Sequence, residues 1–245
     1  MNNSAGIPHF AMVTFSPIHP IIHLLMVLVL IIISMAVIVI GRQAQKRDNE
    51  HIISKGIGVL LLIIWCIYNV YYFQPEVFDI SVSLPLHVCD LLAIISSIAM
   101  LLPNRRTSSL LYFCGLGLAV QAVITPVGNQ SPTTLRFWLF WSLHIGIIAS
   151  ALYDLFVRKF SPDIKDLCFT LLCDFIYLII ILPIDIFFNW NYGYVGNTVP
   201  TSATFIDLLG PWPQRVLWIV LIVISVQIIL YIPWHLYKLH TKYGK

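Results

Sequence analysis

The sequence predicts an all-α, polytopic transmembrane helical bundle of seven spans, with the amino terminus outside and the carboxy terminus in the cytoplasm. Three observations carry this. Of 245 residues, 59% are hydrophobic and only 10% charged, where an ordinary soluble domain has about 25% charged. Seven apolar runs approach the roughly 20 residues that a helix needs to cross a bilayer. Lys and Arg collect in alternate connections, as they do on the cytoplasmic side of membrane proteins.

Each run has its own punctuation. The first, 20–40, ends at Gly41-Arg42. Residues 1–19 before it contain no Lys or Arg and no small-residue cleavage pattern, so the run reads as a span rather than a cleaved leader. The second, 56–73, closes at Gln74-Pro75-Glu76, and the third, 84–102, closes at Pro103-Asn104-Arg105-Arg106. The fourth, 108–126, stops at Pro126. The fifth, 137–157, and the sixth, 167–188, flank Pro162, and the seventh covers 214–234. The connection 189–213 is rich in Asn, Gly, Thr, Trp and Pro, and connections of that length are often functional. With the amino terminus outside, 12 of the 14 Lys and Arg fall on cytoplasmic connections, and only Arg136 and Arg215 lie outside. Residues 1–245 read as a single integral membrane domain at the cell membrane.

Several function classes are excluded. A net charge of +3 with scattered basic residues is no nucleic-acid surface. The five cysteines form no CxxC and are odd in number, which supports neither a disulfide framework nor a zinc ribbon. No phosphate-binding glycine fingerprint occurs, no Lys within a span offers a Schiff base to retinal, and no cofactor is expected.

Polar side chains inside spans are costly and raise a functional hypothesis by default. Cys89 lies roughly 6 Å into the third span and His144 roughly 12 Å into the fifth, at about 1.5 Å per residue from the outer ends. His23, Asn69, Gln121, Thr125 and Asp185 lie in the outer halves or at the outer ends of theirs, beneath the 189–213 connection. His87 and Cys89 are two apart and do not face each other on a helix, whereas His87 and Asp90 are three apart and can pair. Cys89 therefore needs a base from another span: His144 by depth, with His23 second. A neighbouring imidazole makes a thiol nucleophilic. The plainer readings stand beside this one. A Cys in an apolar helix packs as a small hydrophobe, and His144 can simply bridge helices. No ligand spacing supports a metal site. Cys66, Cys114, Cys168 and Cys173 read as packing residues, and Asp154, Asp166 and Asp174 as interhelical or interfacial. Trp138, Trp141, Trp190 and Trp212 fit an interfacial belt.

Four stretches carry a resemblance. Leu84-Pro85-Leu86-His87-Val88-Cys89-Asp90-Leu91 resembles the P-L-H-L-C-D-L signature of the YwaF-type family of bacterial integral membrane proteins. Gln121-Ala122-Val123-Ile124-Thr125-Pro126, Leu143-His144-Ile145-Gly146, and Asn191-Tyr192-Gly193-Tyr194 followed by Leu208-Leu209-Gly210-Pro211-Trp212-Pro213 resemble its further elements in order. The family is distantly similar to a eukaryotic transmembrane acyltransferase acting on ether phospholipids, which is thought to carry the acyl group on a Cys and to use a His from a later span. The resemblance implies that Cys89 is the acyl carrier and His144 its base, acting on membrane phospholipids at the outer leaflet. Asn69, Gln121, Thr125, Asn191 and Tyr192 are then candidate oxyanion donors, with His87, Asp90 and His23 in supporting roles. Water in place of a lipid acceptor would make the site a hydrolase. A small-solute transporter, or a lipid- or ligand-binding protein without catalysis, is the alternative. Pro183 within the sixth span would then interrupt a helix, as in many transporters.

Overall fold

The structure is a computed structural model that describes residues 19–126, 131–198 and 205–243. Residues 1–18, and 199–204 of the long connection, lie outside the described residues. Seven helices follow the seven apolar runs: α1 Pro20–Gln45, α2 Glu50–Tyr72, α3 Val88–Leu101, α4 Arg105–Ile124, α5 Leu135–Phe156, α6 Ile164–Phe188 and α7 Gln214–Tyr243. Local chemistry sets several starts. Pro20 opens α1, where its missing N–H costs nothing. The Thr134 hydroxyl accepts from Phe137 N–H at the start of α5. Asp163 and Asp166 form a reciprocal capping box on α6.

Contacts at one end of the bundle settle the helix directions. Arg42 donates to Phe156 O at 3.4 Å. Arg158 meets Glu50 Oε1 at 3.0 Å and caps Ala99 O and Met100 O at 2.7 and 3.1 Å. Arg105 bonds Asp166 at 2.5 Å, and Lys238 donates to Pro162 O at 3.1 Å. These contacts gather the carboxy-terminal ends of α1, α3, α5 and α7 with the amino-terminal ends of α2, α4 and α6, so successive helices run antiparallel. The opposite end carries the long connection.

Six helices are long and apolar enough to cross a membrane; α3 is the exception. It has 14 residues, about 21 Å at 1.5 Å per residue, against a hydrocarbon thickness of about 30 Å. The expected span 84–102 is thus a half-helix preceded by non-helical backbone. Pro85 disfavours helical backbone at Leu84. Leu86 N–H turns back onto Leu84 O at 2.7 Å, and His87 is extended at φ −66°, ψ 148°.

α5 is the hub. Thirteen of its residues are buried, among them Phe137, Trp141, His144, Tyr153 and Asp154, and it packs on α1, α2 and α3. A Cβ at Gly146 would lie 2.6 Å from Leu61 on α2, so a glycine lets these helices meet closely beside the His144 turn. α1, α6 and α7 present long apolar side chains outward, such as Ile32, Ile179 and Ile229, the pattern of lipid-facing surfaces. Pro183 lies inside α6, and the helix runs through it to Phe188. The expected interruption there is absent. The broken element is instead the entry to α3.

Candidate functional site

Cys89 is the second residue of α3 and is partly exposed. His144 lies two turns into α5 and is buried. The two meet: Cys89 Sγ lies 3.2 Å from His144 Nε2. The other ring nitrogen decides the direction of this bond. His144 Nδ1 lies 2.8 Å from Phe140 O, and a carbonyl can only accept, so Nδ1 carries the proton. A neutral imidazole then presents a bare lone pair at Nε2, and Cys89 S–H donates to it. The Phe140 ring packs tilted against the imidazole, with centroids 4.2 Å apart and planes at 37°. Thiol, imidazole and orienting carbonyl thus stand in the order that thiol catalysis uses.

The backbone entering α3 is held from the other side of the bundle. Tyr177 of α6 donates to Leu86 O at 2.9 Å. Tyr192 donates to Ile80 O at 2.7 Å and accepts from Leu84 N–H at 3.0 Å. Tyr192 N–H is in turn bound by Asp185 Oδ1 at 3.0 Å. Non-helical backbone at membrane depth persists only where protein surrounds it or it lines a cavity; here two tyrosines satisfy it. Gly193, at φ +63°, lets the turn pass Tyr177: a Cβ there would lie 2.6 Å from the Tyr177 hydroxyl.

The expected supporting residues scatter. His23 Nε2–H donates to Val123 O at 2.8 Å, closing an orphan carbonyl at the end of α4; the imidazole on Cys89 is that of His144. No side-chain hydrogen bond joins His87 and Asp90 among the described residues. Asp90 N–H bonds His87 O at 3.0 Å, while the His87 ring packs on Tyr192 and Tyr194 at 4.9 and 6.0 Å. The extended φ/ψ of His87 turns its side chain away from the helix face on which Asp90 sits. Asp90 is buried beside the thiol.

The proposed oxyanion donors are committed to backbone. Asn69 Nδ2 bonds Trp65 O at 2.8 Å, and Thr125 Oγ1 bonds Gln121 O at 3.2 Å. Gln121 itself is exposed. Asn191 Nδ2 bonds Thr198 O and its Oδ1 accepts from Gly196 N–H, shaping the connection. Short polar side chains next to carbonyls turn back on their own chain. Trp141 is fully buried against Phe137 and Phe140 rather than interfacial.

The sequence reading missed Phe140 O, Tyr177 and Tyr194. For Phe140 the signal was its position four residues before His144; Tyr194 stood in the Asn191–Tyr194 stretch but was given no role, and no sequence signal marked Tyr177. Among the described residues no group of three or more His, Cys, Asp or Glu is placed to hold a metal.

Comparison with known proteins supports a membrane-protein family, under another name than the YwaF-type resemblance. A family model described as the TMEM164 family matches residues 14–231. No curated protein and no solved structure matches the chain.

Proposed function

The chain belongs to the TMEM164 family and carries six helices fit to cross a membrane; on that premise we propose that it is a multi-pass membrane acyltransferase. Cys89 carries the acyl group between phospholipids at the outer leaflet of the cell membrane, the side opposite the basic end of the bundle, and α3 completes a seven-span bundle. The observation that supports this most is the Cys89 Sγ–His144 Nε2 contact of 3.2 Å, with Nδ1 fixed on Phe140 O.

The residues divide the chemistry in two steps. As Cys89 Sγ attacks the ester carbonyl carbon of a donor phospholipid, its proton passes to His144 Nε2. The ester C–O bond breaks, the leaving alkoxide takes the proton from Nε2, and a thioester and a lysolipid result. The hydroxyl of an acceptor then gives its proton to His144 and attacks the thioester. The C–S bond breaks, and the proton returns to Cys89. The tetrahedral oxyanion requires hydrogen-bond donors. With Asn69, Thr125, Asn191 and Tyr192 bonded to backbone and Gln121 exposed, the first-turn N–H groups of α3, at Val88 and Cys89, fit that role. The first N–H groups of a helix have no acceptor within it and favour negative charge. Starting α3 at residue 88 rather than 84 is what brings these groups beside the thiol.

The test is intact-protein mass spectrometry after incubation of the purified protein with phospholipids, beside Cys89→Ala and His144→Ala. A hydroxylamine-sensitive acyl mass on the wild type alone supports the reading. A folded wild type that takes up no acyl mass from a broad lipid panel overturns it and leaves ligand binding or transport.

A further inference from the structure

A second buried polar cluster lies where α4, α6 and α7 meet, apart from the Cys89 site. Asp174 of α6 accepts from Gln227 Nε2 of α7 at 2.5 Å and from Cys114 S–H of α4 at 3.5 Å. Cys114 lies in a single π turn, Leu111–Gly115, within α4, and such turns recur at functional sites. Gln227 and Thr170 are completely buried. Gln227 Oε1 has no hydrogen-bond partner, and neither has Thr170 Oγ1, one turn before Asp174 on the same face of α6.

Among the described residues no cation balances the carboxyl. Arg106 of α4 lies over the Phe169 ring at 5.7 Å, and Arg105 is held by Asp163 and Asp166. Lys238 of α7 is on Pro162 O, and His235 meets Tyr231. All of these lie toward the basic end. Asp174 is eight residues beyond Asp166, about 12 Å at 1.5 Å per residue. A bare carboxylate here is an acceptor alone, which leaves Gln227 Oε1 without a donor and an unbalanced charge among apolar helices.

We propose that Asp174 is a proton-binding site: it holds a proton and donates it to Gln227 Oε1 after a half-turn of the amide. The added hydrogen removes the charge and supplies the donor that Oε1 lacks, at the cost of the Nε2 bond to the carboxyl, while Cys114 S–H still bonds the other carboxyl oxygen. A metal ion fits less well, because the thiol is a soft ligand and few hard oxygens are present. The neutral carboxyl ties α6 to α7, the two helices joined by the connection that carries Tyr192.

Infrared spectroscopy of the reconstituted protein near neutral pH tests this. The expected result is the carbonyl stretch of a protonated carboxylic acid, sensitive to D2O and missing from Asp174→Asn, with Asn keeping wild-type thermal stability. Gln227→Leu moves the band to that of a carboxyl without an acceptor, and this arm decides alone if Asp174→Asn does not fold. A missing band, a band unmoved by Gln227→Leu, or stabilisation by Na+ of the wild type but not of Asp174→Asn overturns the proposal.

Discussion

Cys89 and Cys114 are both thiols set in apolar helices, and each has a polar partner, yet their surroundings differ in three ways. Cys89 faces an imidazole whose bare nitrogen is aimed by Phe140 O; Cys114 faces a carboxyl and an amide. Cys89 stands in the first turn of a half-helix, where backbone N–H groups are free, whereas Cys114 sits mid-helix, where the ladder uses them. Cys89 is partly exposed and Cys114 is buried. A thiol becomes a nucleophile when base, oxyanion donors and access coincide, and under the proposed function the break before α3 supplies them for Cys89.

Substitutions can break this comparison. The largest effect is expected for Cys89→Ala, which abolishes the hydroxylamine-sensitive acyl mass while leaving the fold intact by circular dichroism. His144→Ala keeps the thiol but removes its base, so single-turnover acylation slows by about 10²–10⁴-fold, the usual worth of a positioned base. Tyr192→Phe acts at one remove. It leaves Leu84 N–H without its acceptor, at about 1–3 kcal/mol. Acylation is expected to slow roughly tenfold, about 1.4 kcal/mol in the barrier, measured below the melting transition. At the same time alkylation of Cys89 by a small maleimide stays near wild type, which a general loss of folding would not allow. Cys114→Ala is expected to leave acylation unchanged in the same assay. An acyl mass lost in Cys114→Ala and kept in Cys89→Ala would reverse the assignment of the two thiols.

The site was only partly legible in the residues. Depth along two apolar runs was enough to pair Cys89 with His144, because a helix advances a constant distance per residue. The same rule ranked His144 above His23 but could not show which imidazole meets the thiol, since rotation about the helix axis, and the fate of each ring nitrogen, depend on neighbours. The oxyanion candidates failed for a related reason. Asn69, Thr125 and Asn191 looked available as side chains in a row, but each had a backbone partner within a few residues. Composition and spacing do not report such local bonds.

By itself the sequence determined the class, the seven apolar helices and the end of the bundle where basic residues gather. These follow from transfer free energies summed along the chain, which are local and additive. Tertiary structure alone decided that the third run is a half-helix opening at Val88, and that α5 is the buried hub. It also decided that Phe140 O, rather than a carboxylate, orients His144. Each of these rests on groups far apart in the chain, Tyr177 on Leu86 and Tyr192 on Ile80 and Leu84, whose hydrogen bonds exist only once the helices have packed.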